Sequence, residues 1–158
     1  MIQSYQEIVY TRVRRMVHFH EDANDVVQNT FIKVYRYLPD FKGQSALSTW
    51  IYRIATNESI NHINKNKKRQ NLSVEAMVEE LGKELMADAY FDGNEGQIEL
   101  IKSIEQLPLK QRTVFNMRYF EEMPYVEMSE ILETSVGSLK ASYHHAVKKI
   151  ETYLREEK

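Results

Sequence analysis

Apolar residues return along most of this chain at steps of three and four, the spacing of one helix face. Over 4–19 that face is Ile8, Val9, Val13, Met16 and Val17. The next helix has Val27, Phe31, Val34 and Leu38 inside. Asp22 is its expected cap, and Asp25 sits in the first turn, where the helix dipole favours acids. Residues 39–45 interrupt the pattern with Pro39 and Gly43 and mark a loop. A long helix follows, capped by Ser45 or Ser48 and running to about Arg69, with Leu47, Trp50, Ile51 and Ile54 as its core. Val74, Met77, Val78, Leu81, Leu85 and Met86 are spaced for a short amphipathic helix. Residues 97–106 open a second set of helices, and Pro108 suits the first turn of the next one, which runs to about Phe120. Pro124 introduces a shorter helix with Val126, Ile131 and Leu132 inside. Glu133, Thr134 and Ser135 form a turn, and Ser135 caps a last helix whose inner face is Val136, Leu139, Tyr143, Ala146 and Ile150. No strand pattern repeats, and glycine and proline are scarce, so the expected fold is all-α.

Charge divides this helical chain into blocks. Residues 1–72 carry eleven Lys/Arg against six Asp/Glu, residues 73–99 carry one lysine against eight acids, and residues 100–158 carry nine of each. A basic block, an acidic connector and a balanced block imply two small helical domains, 1–70 and 97–158, joined by a flexible acidic linker over 71–96. The overall charge of −2 does not exclude nucleic acid, because binding follows local patches. Cysteine is absent, which removes disulfide frameworks and thiolate metal sites. No apolar run approaches a membrane span, and the first residues lack a signal-peptide core. A cytoplasmic protein is expected.

The candidate chemistry concentrates in 125–150, which reads as a helix-turn-helix. Projected at 3.6 residues per turn, the face opposite the last helix's core carries Gly137, Ala141, His144, His145 and Lys148, flanked by Lys140 and Lys149. Small residues let a helix approach closely, imidazoles offer donors or acceptors, and lysines meet phosphate, as a helix in a DNA major groove requires. An ordinary antiparallel helix pair with a solvated basic face is the plainer alternative. In the first half, Arg53, Asn57, Asn61, Asn64 and Lys68 share one stripe, and the run from 64 to 69 adds basic charge. Asparagine is a mediocre helix former but pairs well with bases and phosphates. The helix after Asp22 turns Asp25, Gln28, Asn29, Ile32, Lys33 and Arg36 outward, and an apolar Ile32 amid polar groups hints at a partner surface. Trp50 reads first as a core anchor, with ligand contact as the alternative.

Two separated segments, DANDVVQNTFIKVYRYLPDFKGQSALSTWIYRIATNESINHINKNKKR and IEQLPLKQRTVFNMRYFEEMPYVEMSEILETSVGSLKASYHHAVKKIETYL, resemble regions 2 and 4 of bacterial RNA polymerase sigma factors. With only a short acidic linker between them, the layout is similar to the extracytoplasmic-function (ECF) group. The two segments cover roughly two thirds of the chain. The resemblance implies an alternative sigma factor that binds core RNA polymerase and directs promoter recognition and transcription initiation, with no cofactor. It assigns Asp25, Gln28, Asn29 and Ile32 to the clamp helices of the polymerase largest subunit. It assigns Phe41, Lys42, Ser45, Trp50, Arg53, Asn57, Asn61 and Lys65 to the −10 element. It assigns Ser138, Lys140, Ala141, His144, His145 and Lys148 to the −35 element. An anti-sigma factor is a further expected partner. The chain departs from the family in carrying Glu133 at a turn position often held by glycine. Ser142, His145 and Val147 stand where arginine is common, and Pro124 where serine commonly caps.

Two rivals remain at this level. A stand-alone helix-turn-helix regulator explains 106–155 but leaves 22–69 without a task. An enzyme built on His18, His20 or His144 and His145 is disfavoured, because steps of one and two do not bring helical ligands together.

Overall fold

The computed structural model describes residues 2–69 and 95–156. The regular structure of those residues is helical: α1 (Gln3–Val17), α2 (His20–Tyr37), a 3₁₀ turn (Leu38–Asp40), α3 (Leu47–Arg69), α4 (Glu95–Glu105), α5 (Leu109–Tyr119), α6 (Tyr125–Leu132) and α7 (Val136–Glu156). The helices fall into two compact units, α1–α3 in the first and α4–α7, apart from residues 130–133, in the second. The expected amphipathic helix from Val74 to Met86, and most of the linker, lie outside the described residues.

In the first unit α1, α2 and α3 each pack on the other two. Val9, Val13 and Met16 of α1, Ala23, Val26, Phe31 and Val34 of α2, and Ile51, Tyr52 and Ala55 of α3 are buried where these helices pack. Two polar links join the helices at the edge of this core. The guanidinium carbon of Arg12 sits 3.6 Å from the centre of the Tyr52 ring, and Lys33 pairs with Glu58. Buried hydroxyls solve their hydrogen-bonding locally. Thr30 Oγ1 donates to the Val26 carbonyl at 2.7 Å, and Ser59 Oγ donates to that of Ala55 at 2.9 Å.

Several local expectations are corrected here. Ile8 is 46% exposed, because it lies beyond the flank of the α1 face that its neighbours cover. Val26, not Val27, is the deeper position of α2, and Leu38 is only half-buried in the 3₁₀ turn. Asp22 does not cap α2. The helix begins at His20 after an extended Phe19, so Asp22 falls inside the first turn beside Glu21, where its charge still meets the dipole. Ala46, not a serine, precedes the first residue of α3, and Ser45 Oγ donates to the Ala46 carbonyl at 3.3 Å.

In the second unit the long helix α7 packs against α4 and α5. Its core is Ile104, Leu107, Phe115, Ala146 and Ile150, with Leu100, Tyr143, Val147 and Leu154 around it. Inside α6 the buried residues are Met128 and Ile131, whereas Val126 is 67% exposed. Arg112 is buried and holds Glu105 at 2.5 Å, joining α4 to α5.

Glu133 occupies the left-handed region at φ 52. That conformation costs an L-residue roughly 1–2 kcal/mol and glycine almost nothing. This gives a backbone reason for expecting a glycine at the turn. Glu133→Gly should therefore stabilise the protein by about 0.5–1 kcal/mol, after the added freedom of the unfolded chain is subtracted. Thermal unfolding checks this; a midpoint that stays put or falls contradicts it.

Candidate nucleic-acid interface

The rotation of α7 is set by what it buries. Leu139, Ala146 and Ile150 are buried, so the opposite stripe of Gly137, Lys140, Ala141, His144, His145, Lys148 and Lys149 is turned outward, and every one of these is exposed. The start of the helix is fixed by chemistry that the sequence already offered. Ser135 Oγ accepts from the Ser138 backbone N–H at 3.2 Å, the bond expected of an N-cap. Ser138 itself is half-buried, so it is the least available of the expected contact residues. Across the turn, Ser129 Oγ donates to the Thr134 carbonyl at 2.6 Å.

Gly137 is informative because nothing inside the protein demands it. A Cβ built there meets no atom within 4 Å. A helical glycine costs about 0.5–1 kcal/mol relative to alanine, so an exposed one is easiest to understand where another molecule approaches the backbone. Beside it, the rings of His144 and His145 lie 6.0 Å apart, outside the core. Behind the stripe, Tyr143 stacks on Phe115 with ring centres 5.7 Å apart. Burial raises the Tyr143 phenol above its ordinary value, Tyr125 adds to the rise and Arg118 opposes it, so the ring stays neutral at physiological pH.

The first unit carries a second set of candidate groups. Phe41 and Trp50 pack with ring centres 5.0 Å apart, which anchors the loop before α3 to its first turns. Both rings are half-buried, so Trp50 serves the interior while keeping part of its surface at the loop. Between them Lys42, Gly43 and Gln44 are exposed, and Gly43 takes φ 70, a turn that a larger residue would strain. Along α3, Asn57, Asn61, Asn64 and Lys65 are exposed and Arg53 is half-buried. The loop and the asparagine stripe thus belong to one helix and its entry.

On α2, Asp25, Gln28 and Asn29 are exposed and Ile32 is 55% exposed, so the expected outward face exists. Lys33, also expected outward, is engaged with Glu58 instead. Tyr35, 54% exposed, was not among the expected outward residues. It lies three residues beyond Ile32, and that spacing alone could have found it.

A helix whose outward stripe is small, basic and imidazole-bearing, presented by a capped turn, belongs to the helix-turn-helix class of DNA-binding domains. The comparisons narrow this. Residues 1–69 match the family model for Sigma-70 region 2, and residues 97–150 match that for Sigma-70, region 4. The ECF RNA polymerase sigma factor SigW of Bacillus subtilis is 31% identical over 99% of this chain and 88% of its own. The RNA polymerase sigma-H factor of Pseudomonas aeruginosa is 30% identical over 98% of this chain and 84% of its own. Among solved structures, the sigma factor RpoE in its complex with the anti-sigma factor NepR from Bartonella quintana superposes with a TM-score of 0.70. It is 17% identical, over 99% of this chain and 96% of that one, so it speaks to the fold alone. The chain belongs to the ECF RNA polymerase sigma factors, alternative sigma factors that direct promoter recognition and transcription initiation. Among the described residues no helix is long and apolar enough to cross a membrane.

Proposed function

We propose that 1–70 and 97–158 act as separate promoter-reading domains joined by 71–96, and that both operate on a core RNA polymerase held by α2. Asp25, Gln28, Asn29 and Ile32 form the polymerase-binding face, addressed to the clamp helices of the largest subunit. Phe41, Lys42, Ser45, Trp50, Arg53, Asn57, Asn61 and Lys65 receive the −10 element. Opening DNA costs stacking and pairing energy, which binding an unstacked base and gripping the single strand offset. A polar loop beside an aromatic pair, followed by an asparagine-rich helix, supplies both kinds of contact. Ser138, Lys140, Ala141, His144, His145 and Lys148 read the −35 element as closed duplex. The chain itself catalyses nothing; the polymerase makes the RNA. It works in the cytoplasm, and the complex in which RpoE is found with NepR supports an anti-sigma partner here as well.

The observation that carries this reading is the outward stripe of α7, fixed by its buried face. Transcription by core polymerase on genomic fragments identifies templates. On those templates His145→Ala should weaken −35 duplex binding about tenfold, within the 1–3 kcal/mol that a good base contact is worth. Affinity for core polymerase should not change. Equal loss of both would overturn the division of labour.

A further inference from the structure

Three side chains from three successive elements meet at the start of α6. Arg118, in the last turn of α5, sets its guanidinium carbon 4.6 Å from the centre of the Tyr125 ring. Lys140 of α7 sets its ammonium 5.7 Å from the same centre. Arg118 is itself fixed, since its Nη1 donates to the Met123 carbonyl at 3.0 Å across the α5–α6 turn. Two cations therefore share one aromatic ring, and no carboxylate among the described residues forms an ion pair with either.

This arrangement is costly unless it serves something. Like charges repel, and an exposed lysine normally ranges over many rotamers. The negative face of the ring attracts both cations and offsets part of that repulsion. A carboxylate would have neutralised the pair more effectively, but it would also have cancelled the positive charge offered to a polyanion.

We propose that Tyr125 is a positioning residue for Lys140. Its ring holds the lysine ammonium beside Arg118, and the two cations meet the phosphodiester backbone of duplex DNA as a preformed pair. This rests on the reading of α7 as the duplex-facing helix. It adds to that reading a residue of α6 that acts through Lys140, together with Arg118 as a second cation. The sugar-phosphate backbone, and not a base edge, is the group recognised, so the contribution is independent of DNA sequence.

The test measures affinity of the full chain for a labelled mixed-sequence DNA duplex at low salt. Tyr125→Leu should weaken binding about two- to fivefold, the size of an exposed cation–π contact. Tyr125→Phe, which keeps the ring face, should restore the wild-type value. In a Lys140→Ala background, Tyr125→Leu should have a clearly smaller effect, because the lysine contact is already gone and Arg118, which also faces the ring, is held separately by the Met123 carbonyl. Full additivity of the two substitutions would mean that Tyr125 only supports the local fold, and would overturn the proposal. A Tyr125→Phe variant as weak as Tyr125→Leu would assign the effect to the hydroxyl and overturn it too. If the wild-type chain does not bind duplex at all, the reading of α7 fails first, before any variant is compared. Should Tyr125→Leu not fold, the wild type alone decides. Its Lys140 ε-methylene protons must be shifted upfield by the ring current of Tyr125, and ordinary lysine shifts would refute the contact.

Discussion

Glu105→Ala should cost the second unit about 3–5 kcal/mol of stability, the loss expected when one partner of a buried ion pair is removed. The reason lies with the residue left behind. Arg112 is 4% exposed, and Glu105 Oε2 lies 2.5 Å from its Nη1. Its Nε is already buried without a hydrogen-bond partner, so the guanidinium has little else to lean on. Without the carboxylate, the charge must remain desolvated or the α4–α5 junction must open to water. Glu105→Gln keeps an acceptor of similar shape but not the charge, and should fall between wild type and Glu105→Ala. Replacing both partners with apolar residues, Glu105→Leu with Arg112→Met, should recover much of the loss, since no charge then needs compensation. Denaturant unfolding of the three variants separates these cases. A Glu105→Ala loss below about 1 kcal/mol would show that the pair is solvated and behaves like a surface salt bridge.

The buried arginine also shows where a sequence stops being legible. Nothing local in 109–119 marks Arg112 as interior. Its burial depends on a carboxylate seven residues earlier that only the α4–α5 junction brings to it. The short helix α6 shows a second limit. In eight residues an apolar Val126 is easily grouped with Ile131 and Leu132 although it lies five and six before them, whereas steps of three and four start at Met128, the residue that packing buries. The longer α7 averages over several turns, so its periodicity had one consistent solution: Leu139, Ala146 and Ile150 are buried and the outward stripe is exposed, with Val136 and Tyr143 half-buried between them. The start of α2 was misplaced for another reason. Its geometry is set by His18 in a positive-φ conformation at φ 64, followed by an extended Phe19, and neither residue type announces that turn. Ser135 did announce its cap, because the signal is a side chain one residue before the helix and not a tertiary contact.

The candidate site divides along the same line. Residues on a single helix face, such as Asn57, Asn61 and Lys65 or His144 and Lys148, were accessible to spacing arguments. Contacts between elements were not. The Phe41–Trp50 pairing and the convergence of Arg118, Tyr125 and Lys140 join positions that no helical period connects.

Gln28→Ala combined with Ile32→Ala should weaken binding to core polymerase about ten- to a hundredfold, the effect of losing a small hot spot of roughly 1.4–2.8 kcal/mol. Ile32 is the apolar centre of an otherwise polar face, with Asp25, Gln28 and Asn29 around it and Tyr35 extending it. An isoleucine left this far in water contributes little to the fold, so its burial energy is available to a partner. The face is also well held. Val26, Phe31 and Val34 bury the other side of α2, and Lys33 ties the helix to Glu58 of α3, so little ordering entropy is lost on docking. Because both substituted side chains are exposed, unfolding midpoints should barely move. Duplex binding through α7 should be untouched, since the substitutions lie in the other unit. Titration of fluorescent chain with core enzyme measures the first quantity, and binding of a −35 duplex by the free chain measures the last. Unchanged affinity for core enzyme would remove α2 as the docking face, even if DNA binding behaved as expected. A matched fall in both would point instead to general damage to the fold.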